Sequence, residues 1–254
     1  MKIGICVSTP ESILLACDAG YDFVEVNASG CVMNDDCYPA LLELSKKLPE
    51  GYMYSCNVLL PGTLRVTGDD VDLAQVKSYC EKCFERLHAL GVKMIVFGSS
   101  AAKKVPEGFS HEEAMKQLVE AVRLFSEVAA KYSQRICIEP LRTEECNIIN
   151  TVDEAVELAT LCARDNVTAH VDYFHAMQNG EKLSKLVGYA KYIGHAHIAS
   201  PCKRNEPTAD DGADYKFFLD CLRRGGYDAT LAIEGGFKHK FESMKAMRDY
   251  LASL

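Results

Sequence analysis

Apolar, β-branched runs of six to eight residues recur along the chain at KIGICV (2–7), YDFVEVN (21–27), YMYSCNVL (52–59), KMIVFGS (93–99), RICIEP (135–140), VTAHVDYF (167–174), YIGHAHIA (192–199) and TLAIEGG (230–236). Between these eight runs the period of the apolar positions changes from two to 3.6. VDLAQVKSYCEKCFERLHAL (71–90) and HEEAMKQLVEAVRLFSEVAAKY (111–132) read as amphipathic helices with one apolar face each. Ser110 with Glu113, and Thr151 with Glu154, have the spacing of a capping box and mark two helix starts. Strands that are apolar on both faces and alternate with helices pair in parallel, because only helical crossovers cover both faces of a sheet. Eight such units predict a (β/α)8 barrel. The alternative, a doubly wound open sheet, would be expected to carry G-x-G-x-x-G after the first strand, and that motif is missing. No Pro/Gly/Ser-rich linker or charge block divides residues 1–254, which are read as a single domain.

Two of the apolar runs, RICIEP and TLAIEGG, close on a glutamate, and two others carry an aspartate or a histidine near their ends. One acid at a strand end is ordinarily the first solvated residue of a loop. Four polar ligands on consecutive strands need a common cause. In a (β/α)8 barrel the carboxyl-terminal ends of the strands form the active-site mouth, so Glu139, Asp172, His197 and Glu234 can converge there. Three carboxylates packed together repel and raise one another's pKa unless a positive charge stands between them. A divalent cation supplies it. One imidazole and three carboxylates form a mainly hard ligand set, for which Mn²⁺ is the first choice, with Mg²⁺, Co²⁺ and Zn²⁺ also admitted.

The formal net charge of -8 and pI near 5.4 come from dispersed acidic residues, which argues against a nucleic-acid partner and for a neutral or metal-chelated small molecule. The chain opens on MKIGICV without a basic n-region or cleavage site, and no apolar run reaches the roughly 18 residues of a membrane span. A cytoplasmic protein without a membrane partner is expected. Twelve cysteines lie scattered, mostly within apolar segments, as buried free thiols do in a reducing compartment. Cys80 and Cys83 form a C-x-x-C inside a helical pattern with no second pair, which is weak support for a zinc site.

Over nearly its whole length the chain resembles the xylose isomerase-like TIM barrels, and within them the sugar isomerases and epimerases similar to D-tagatose 3-epimerase. The matching segments are VE (24–25), VFGS, VPEGFS, EPLRTEECNIINT (139–151), DYFH, GHAH and IEG. The resemblance implies that Glu139, Asp172, His197 and Glu234 hold the metal, and that the glutamates Glu139 and Glu234 also act on the substrate. It further implies that Glu145, His175 and Arg204 bind substrate oxygens, with Lys203 as the alternative to Arg204. His195 faces the same side as His197 but two residues deeper, and is read as a hydrogen-bonded barrel histidine; Glu25 is placed on the barrel floor.

The implied reaction is proton transfer next to a ketose carbonyl through a metal-stabilised enediolate, with one glutamate as base and the other as acid. The same site admits a dehydratase of a polyhydroxy carbonyl compound, since an enediolate can lose a β-hydroxyl. Two other readings are weaker. An apurinic-site endonuclease would be expected to carry histidines at the ends of strands two to four, and VEVNAS, CNVLLP and VFGSS have none. A non-catalytic sugar-binding barrel would be expected to have lost a ligand. The chain departs from the family pattern at Arg142-Thr143, where Asn-Arg is common; with Lys238, His239 and Lys240 this raises an acidic or phosphorylated substrate against the plainer reading of a solvated basic loop. The loops PGTLRVTGDDVD (61–72) and AAKKVPEGFS (101–110) are expected to form a lid. A homo-oligomer is admitted.

Overall fold

The computed structural model describes all of residues 1–254. Its elements follow in the order β1 (Lys2–Cys6), α1 (Pro10–Asp18), β2 (Phe23–Asn27), α2 (Tyr38–Ser45), β3 (Met53–Asn57), α3 (Leu73–Ala89), β4 (Met94–Phe97), α4 (Ser100–Lys103), α5 (His111–Ala130), β5 (Arg135–Ile138), α6 (Val152–Cys162), β6 (Val167–Asp172), α7 (Tyr173–Gln178), α8 (Leu186–Tyr189), β7 (Ile193–Ile198), α9 (Tyr215–Arg224), β8 (Thr230–Ile233) and α10 (Phe241–Ser253). All eight strands are parallel, and β8 pairs with β1 to close the ring. The fold is a (β/α)8 barrel.

The strands are shorter than the apolar runs that encode them, because the ladder stops where the chain turns outward at the mouth. Glu139 and Glu234 therefore stand one residue beyond β5 and β8, whereas Asp172 is the last residue of β6 and His197 lies inside β7. The helices follow their sequence signals closely. On α5 the buried positions Ala114, Leu118, Ala121, Val122, Phe125 and Ala129 trace the apolar stripe, and Phe125 meets Phe97 of β4 edge-on at 5.2 Å. Replacing a ring packed in this way by alanine costs about 3–5 kcal/mol. Thr151 and Glu154 form the reciprocal capping box at α6. At α5 only half of the expected box forms: Ser110 accepts from the Glu113 amide, while the Glu113 side chain turns to Lys116 on the next turn.

Inside the ring the packing departs from the branched aliphatic filling usual in such barrels. Phe23 fills the lower end; it lies over Gly4, where a Cβ would stand 2.3 Å from the ring, so only glycine admits it. Above it the interior is polar: Glu25, Ser55, His170, His195 and His197 are all buried. A second layer of packing, outside the ring, holds the main hydrophobic core between strands and helices. No helix is long and apolar enough to cross a membrane.

Candidate metal and catalytic site

Glu139, Asp172, His197 and Glu234 meet at the carboxyl-terminal mouth, each offering a ligand atom within 4.8 Å of the others. His197 Nδ1 lies 3.4 Å from Glu139 Oε1 and 3.2 Å from Glu234 Oε2. Both Glu139 Oε1 and His197 Nδ1 are buried without a hydrogen-bond partner, which is costly unless something else engages them. The donor set of one imidazole and three carboxylates suits a hard divalent cation, which would satisfy both orphaned atoms. The residues fit a metal.

The electrostatics follow from crowding. Burial raises the Asp172 carboxyl, with Glu139 adding to the rise, against the opposing pull of His175 and Arg204. Burial would raise Glu234 too, but His197 and Arg204 overcome it and hold the carboxyl down at about 2. His197 pays a burial penalty as a cation, yet Glu25 and Glu234 together push its pKa well above the ordinary imidazole value. A positive charge at the mouth is thus what the carboxylates demand.

Around this cluster lies a cavity of about 250 Å³, lined by Asn57, Val58, Leu60, Gly62, the run Gly98 to Ala101, and Leu141, together with Glu139, Glu145, His175, Arg204 and Glu234. The three positions that the resemblance assigns to substrate, Glu145, His175 and Arg204, are all on its wall. Arg204 Nη2 donates to Glu234 Oε2 at 2.5 Å and to Asp172 Oδ2 at 3.4 Å. Arg204 sits at φ 51°, and its loop is clamped by Gly236, whose amide donates to the Arg204 carbonyl at 2.7 Å. A Cβ on the adjacent Gly235 would stand 2.5 Å from that same carbonyl oxygen, so the Gly-Gly pair after Glu234 is what lets the arginine loop approach. His175 Nδ1 accepts from the Arg142 amide at 3.2 Å, which leaves the proton on Nε2, 3.6 Å from Asp172 Oδ2. Lys203 is absent from the cavity wall.

Three residues with a hand on the glutamates were not singled out from the sequence. Asn57 Nδ2 donates to Glu234 Oε1 at 2.8 Å. Gly98 makes room for Glu139, since a Cβ there would fall 1.6 Å from Glu139 Oε2. Lys103, fully buried, donates to the Glu139 carbonyl at 2.5 Å; burial lowers its pKa against the pull of Cys146 and Glu139. Gly98 lies in the matching segment VFGS and Lys103 in the loop AAKKVPEGFS, but neither was tied to a glutamate, and Asn57 was marked only by its place at the end of β3. Arg142 is paired with Glu145 at 2.7 Å and does not line the cavity. Lys238, His239 and Lys240 do not line it either; His239 contacts Ser12 at 2.7 Å. In the 61–72 loop Gly62 lines the cavity, Leu64, Val66 and Thr67 are buried, and the Val66 amide donates to the Ala102 carbonyl. Cys80 and Cys83 are free thiols buried inside α3.

A closed parallel barrel with a hard ligand set at its mouth defines the class, and comparison with known proteins supplies the family. The sequence profile of the xylose isomerase-like TIM barrels matches residues 13–253, and the chain belongs to that family. It is 30% identical over 179 residues to 2-oxo-tetronate isomerase of Haemophilus influenzae, covering 69% of this chain and 64% of that one. It is 29% identical over 177 residues to inosose isomerase of Bacillus subtilis, covering 66% and 61%. The matches thus span less than two thirds of these curated relatives. Among solved structures, D-psicose 3-epimerase of Clostridium cellulolyticum with D-tagatose superposes with a TM-score of 0.85 at 18% identity, over 100% of this chain and 99% of that one, and shares the fold.

Proposed function

We propose that the chain is a divalent-metal-dependent isomerase or epimerase that moves a proton on the carbon next to the carbonyl of a small polyhydroxy compound. The observation that carries this reading is the pairing of two glutamates, Glu139 and Glu234, on one ligand cluster that opens into a cavity walled by Glu145, His175 and Arg204. The names of the relatives, isomerases and epimerases, agree with it. Glu139, Asp172, His197 and Glu234 would hold the ion, with Mn²⁺ as first choice. When bound, it supplies Lewis-acid polarisation of the carbonyl and stabilises the charge of an enediolate.

The chain's own residues do the rest. One of Glu139 and Glu234 removes the proton and the other returns one; return to the same carbon from the opposite face inverts it, and return to the neighbouring carbon exchanges ketose for aldose. Arg204 keeps Glu234 ionised and oriented, and His175 offers its Nε2 proton to a substrate oxygen. The cations at the mouth are already matched: Arg142 by Glu145, and Arg204 by Glu234 and Asp172. That balance supports an uncharged substrate over a phosphorylated or carboxylated one. The wall contains one cation, Arg204, and it is spoken for.

The test is the metal content of purified protein after Mn²⁺ loading and desalting, followed by a panel of ketoses in heavy water. About one ion per chain and deuterium on the carbon next to the carbonyl are expected. Loss of water from the substrate would replace the reading by a dehydratase, and turnover of 2-oxo acids alone would overturn the uncharged-substrate assignment.

A further inference from the structure

One floor below the ligand cluster, inside the ring, lies a carboxylate for which proton transfer has no use. Glu25 is fully buried on β2. Its Oε2 accepts a hydrogen bond from His195 Nε2 at 2.9 Å, and its Oε1 stands 2.8 Å from His197 Nε2. Cys6 Sγ donates to Oε1 at 3.3 Å, and the far side of His195 continues the chain, with Nδ1 2.7 Å from Thr230 Oγ1. The contact with His195 is an aligned hydrogen bond, and that with His197 is a short ion pair approached at a bent angle.

An ionised carboxylate only accepts. Each group that the structure sets against the Glu25 oxygens, His195 Nε2, His197 Nε2 and Cys6 Sγ, is a donor type, which is the surrounding an ionised carboxylate needs. Facing such a group, each imidazole keeps its proton on Nε2. For His195 this makes Nδ1 the acceptor of the Thr230 hydroxyl proton. For His197 it leaves Nδ1, the nitrogen turned towards Glu139 and Glu234, as the one that would exchange its proton for a metal cation. His170 packs edge to face on His197 with ring centroids 4.2 Å apart and limits rotation of the ring.

We propose that Glu25 is a positioning residue: it fixes the tautomer and orientation of His197 so that Nδ1 is presented to the metal, and its own place is fixed in turn by His195 and Thr230. The proposal rests on the metal-dependent reading of the mouth. A second ion on the floor is the competing use of the same side chains, since nitrogens of His170, His195 and His197 also lie within 4.8 Å of one another. It is disfavoured because His195 Nε2 donates to Glu25 and His197 Nε2 stands 2.8 Å from the same carboxylate, so both nitrogens are already engaged there. Outer carboxylates of this kind typically account for a 10–100-fold difference in metal affinity.

The test compares Mn²⁺ binding by the parent chain and Glu25→Gln, read from the free-ion paramagnetic resonance signal during titration, with the visible spectrum of the Co²⁺-loaded proteins as a probe of ligand geometry. The metal-free melting temperature of each serves as the control for folding. An amide donates as well as accepts, so Glu25→Gln is expected to fold, to bind Mn²⁺ about 10–100-fold more weakly, and to change the Co²⁺ spectrum. Equal Mn²⁺ affinity and an unchanged spectrum in a folded Glu25→Gln would overturn the proposal while leaving the metal reading intact. No Mn²⁺ binding by the parent would remove both, and is told apart because it appears before any substitution is made. Should Glu25→Gln fail to fold, Glu25→Asp, which withdraws the anionic acceptor by one methylene, is read in its place with the same expected direction and the same overturning result.

Discussion

Strands β5 to β8 bring Glu139, Asp172, His197 and Glu234 to the mouth, whereas β2 to β4 bring Glu25, Asn57 and Gly98 to the same region. The first set offers ligand atoms. The second touches those ligands: Glu25 faces His197, Asn57 donates to Glu234, and Gly98 leaves the space that Glu139 fills. One half of the ring thus offers the candidate ligands and the other packs against them. The two glutamates show the difference most clearly. Glu234 is gripped by Asn57 and Arg204 and kept ionised, whereas Glu139 Oε1 has no donor of its own and its carboxylate rests in the gap above Gly98.

Substitutions in the two halves break or sharpen this contrast. The largest effect is expected in the ligand half: Glu139→Gln or Glu234→Gln should lower turnover by about 10²–10⁴-fold, the usual contribution of a positioned acid or base, measured as deuterium incorporation with a turned-over ketose. Turnover within tenfold of the parent in both variants would remove these residues from the chemistry. Next comes Gly98→Ala in the holding half. Its methyl must displace the Glu139 carboxylate, and misplacement on the order of 1 Å costs roughly 10²-fold in rate, with the melting temperature nearly kept. If Gly98→Ala matches the parent in rate, the gap above Gly98 does not position the glutamate.

Asn57→Ala removes a single donor to an ionised carboxylate, worth about 1.5–3 kcal/mol, and should reduce turnover by roughly tenfold or more with little change in fold. A variant that changes only the melting temperature would reassign Asn57 to structure. The smallest functional effect is expected at Glu181, in the ligand half but away from the mouth, where the carboxylate accepts from the Val152 amide at the start of α6. Burial pushes its pKa up to about 7. A carboxyl raised in the folded state binds more protons there than in the unfolded chain, so its contribution to stability is lost as pH rises from the unfolded value through about 7. Glu181→Gln should flatten that part of the stability profile in denaturant titrations at several pH values and leave turnover unchanged. A profile as steep as the parent's would show that another group titrates.

The legibility of the molecule divides along the same line. The eight strands, the helices and the barrel were readable from periodicity, since a two-residue and a 3.6-residue repeat each describe what one segment buries. The cluster at the mouth was readable because an acid or histidine at the close of an apolar run is conspicuous on four successive strands. Asn57, Gly98 and Lys103 carried no such mark: an asparagine, a glycine and a lysine near strand ends are ordinary turn residues in one dimension. Ser110 and Glu113 had the spacing of a capping box, yet Lys116 one turn on competed for the glutamate. Arg142 looked like a free charge beside the pocket until Glu145 was seen to neutralise it.

Local pattern by itself therefore determined the elements, their parallel order and the types of group at the mouth, because those depend on burial and period within short stretches of chain. Closure of the ring decided which groups touch. Glu25 and His197 are 172 residues apart in sequence, and Asn57 and Glu234 are 177 apart. These contacts, and the room above Gly98 that Glu139 fills, depend on stagger across the barrel, which only the folded chain possesses.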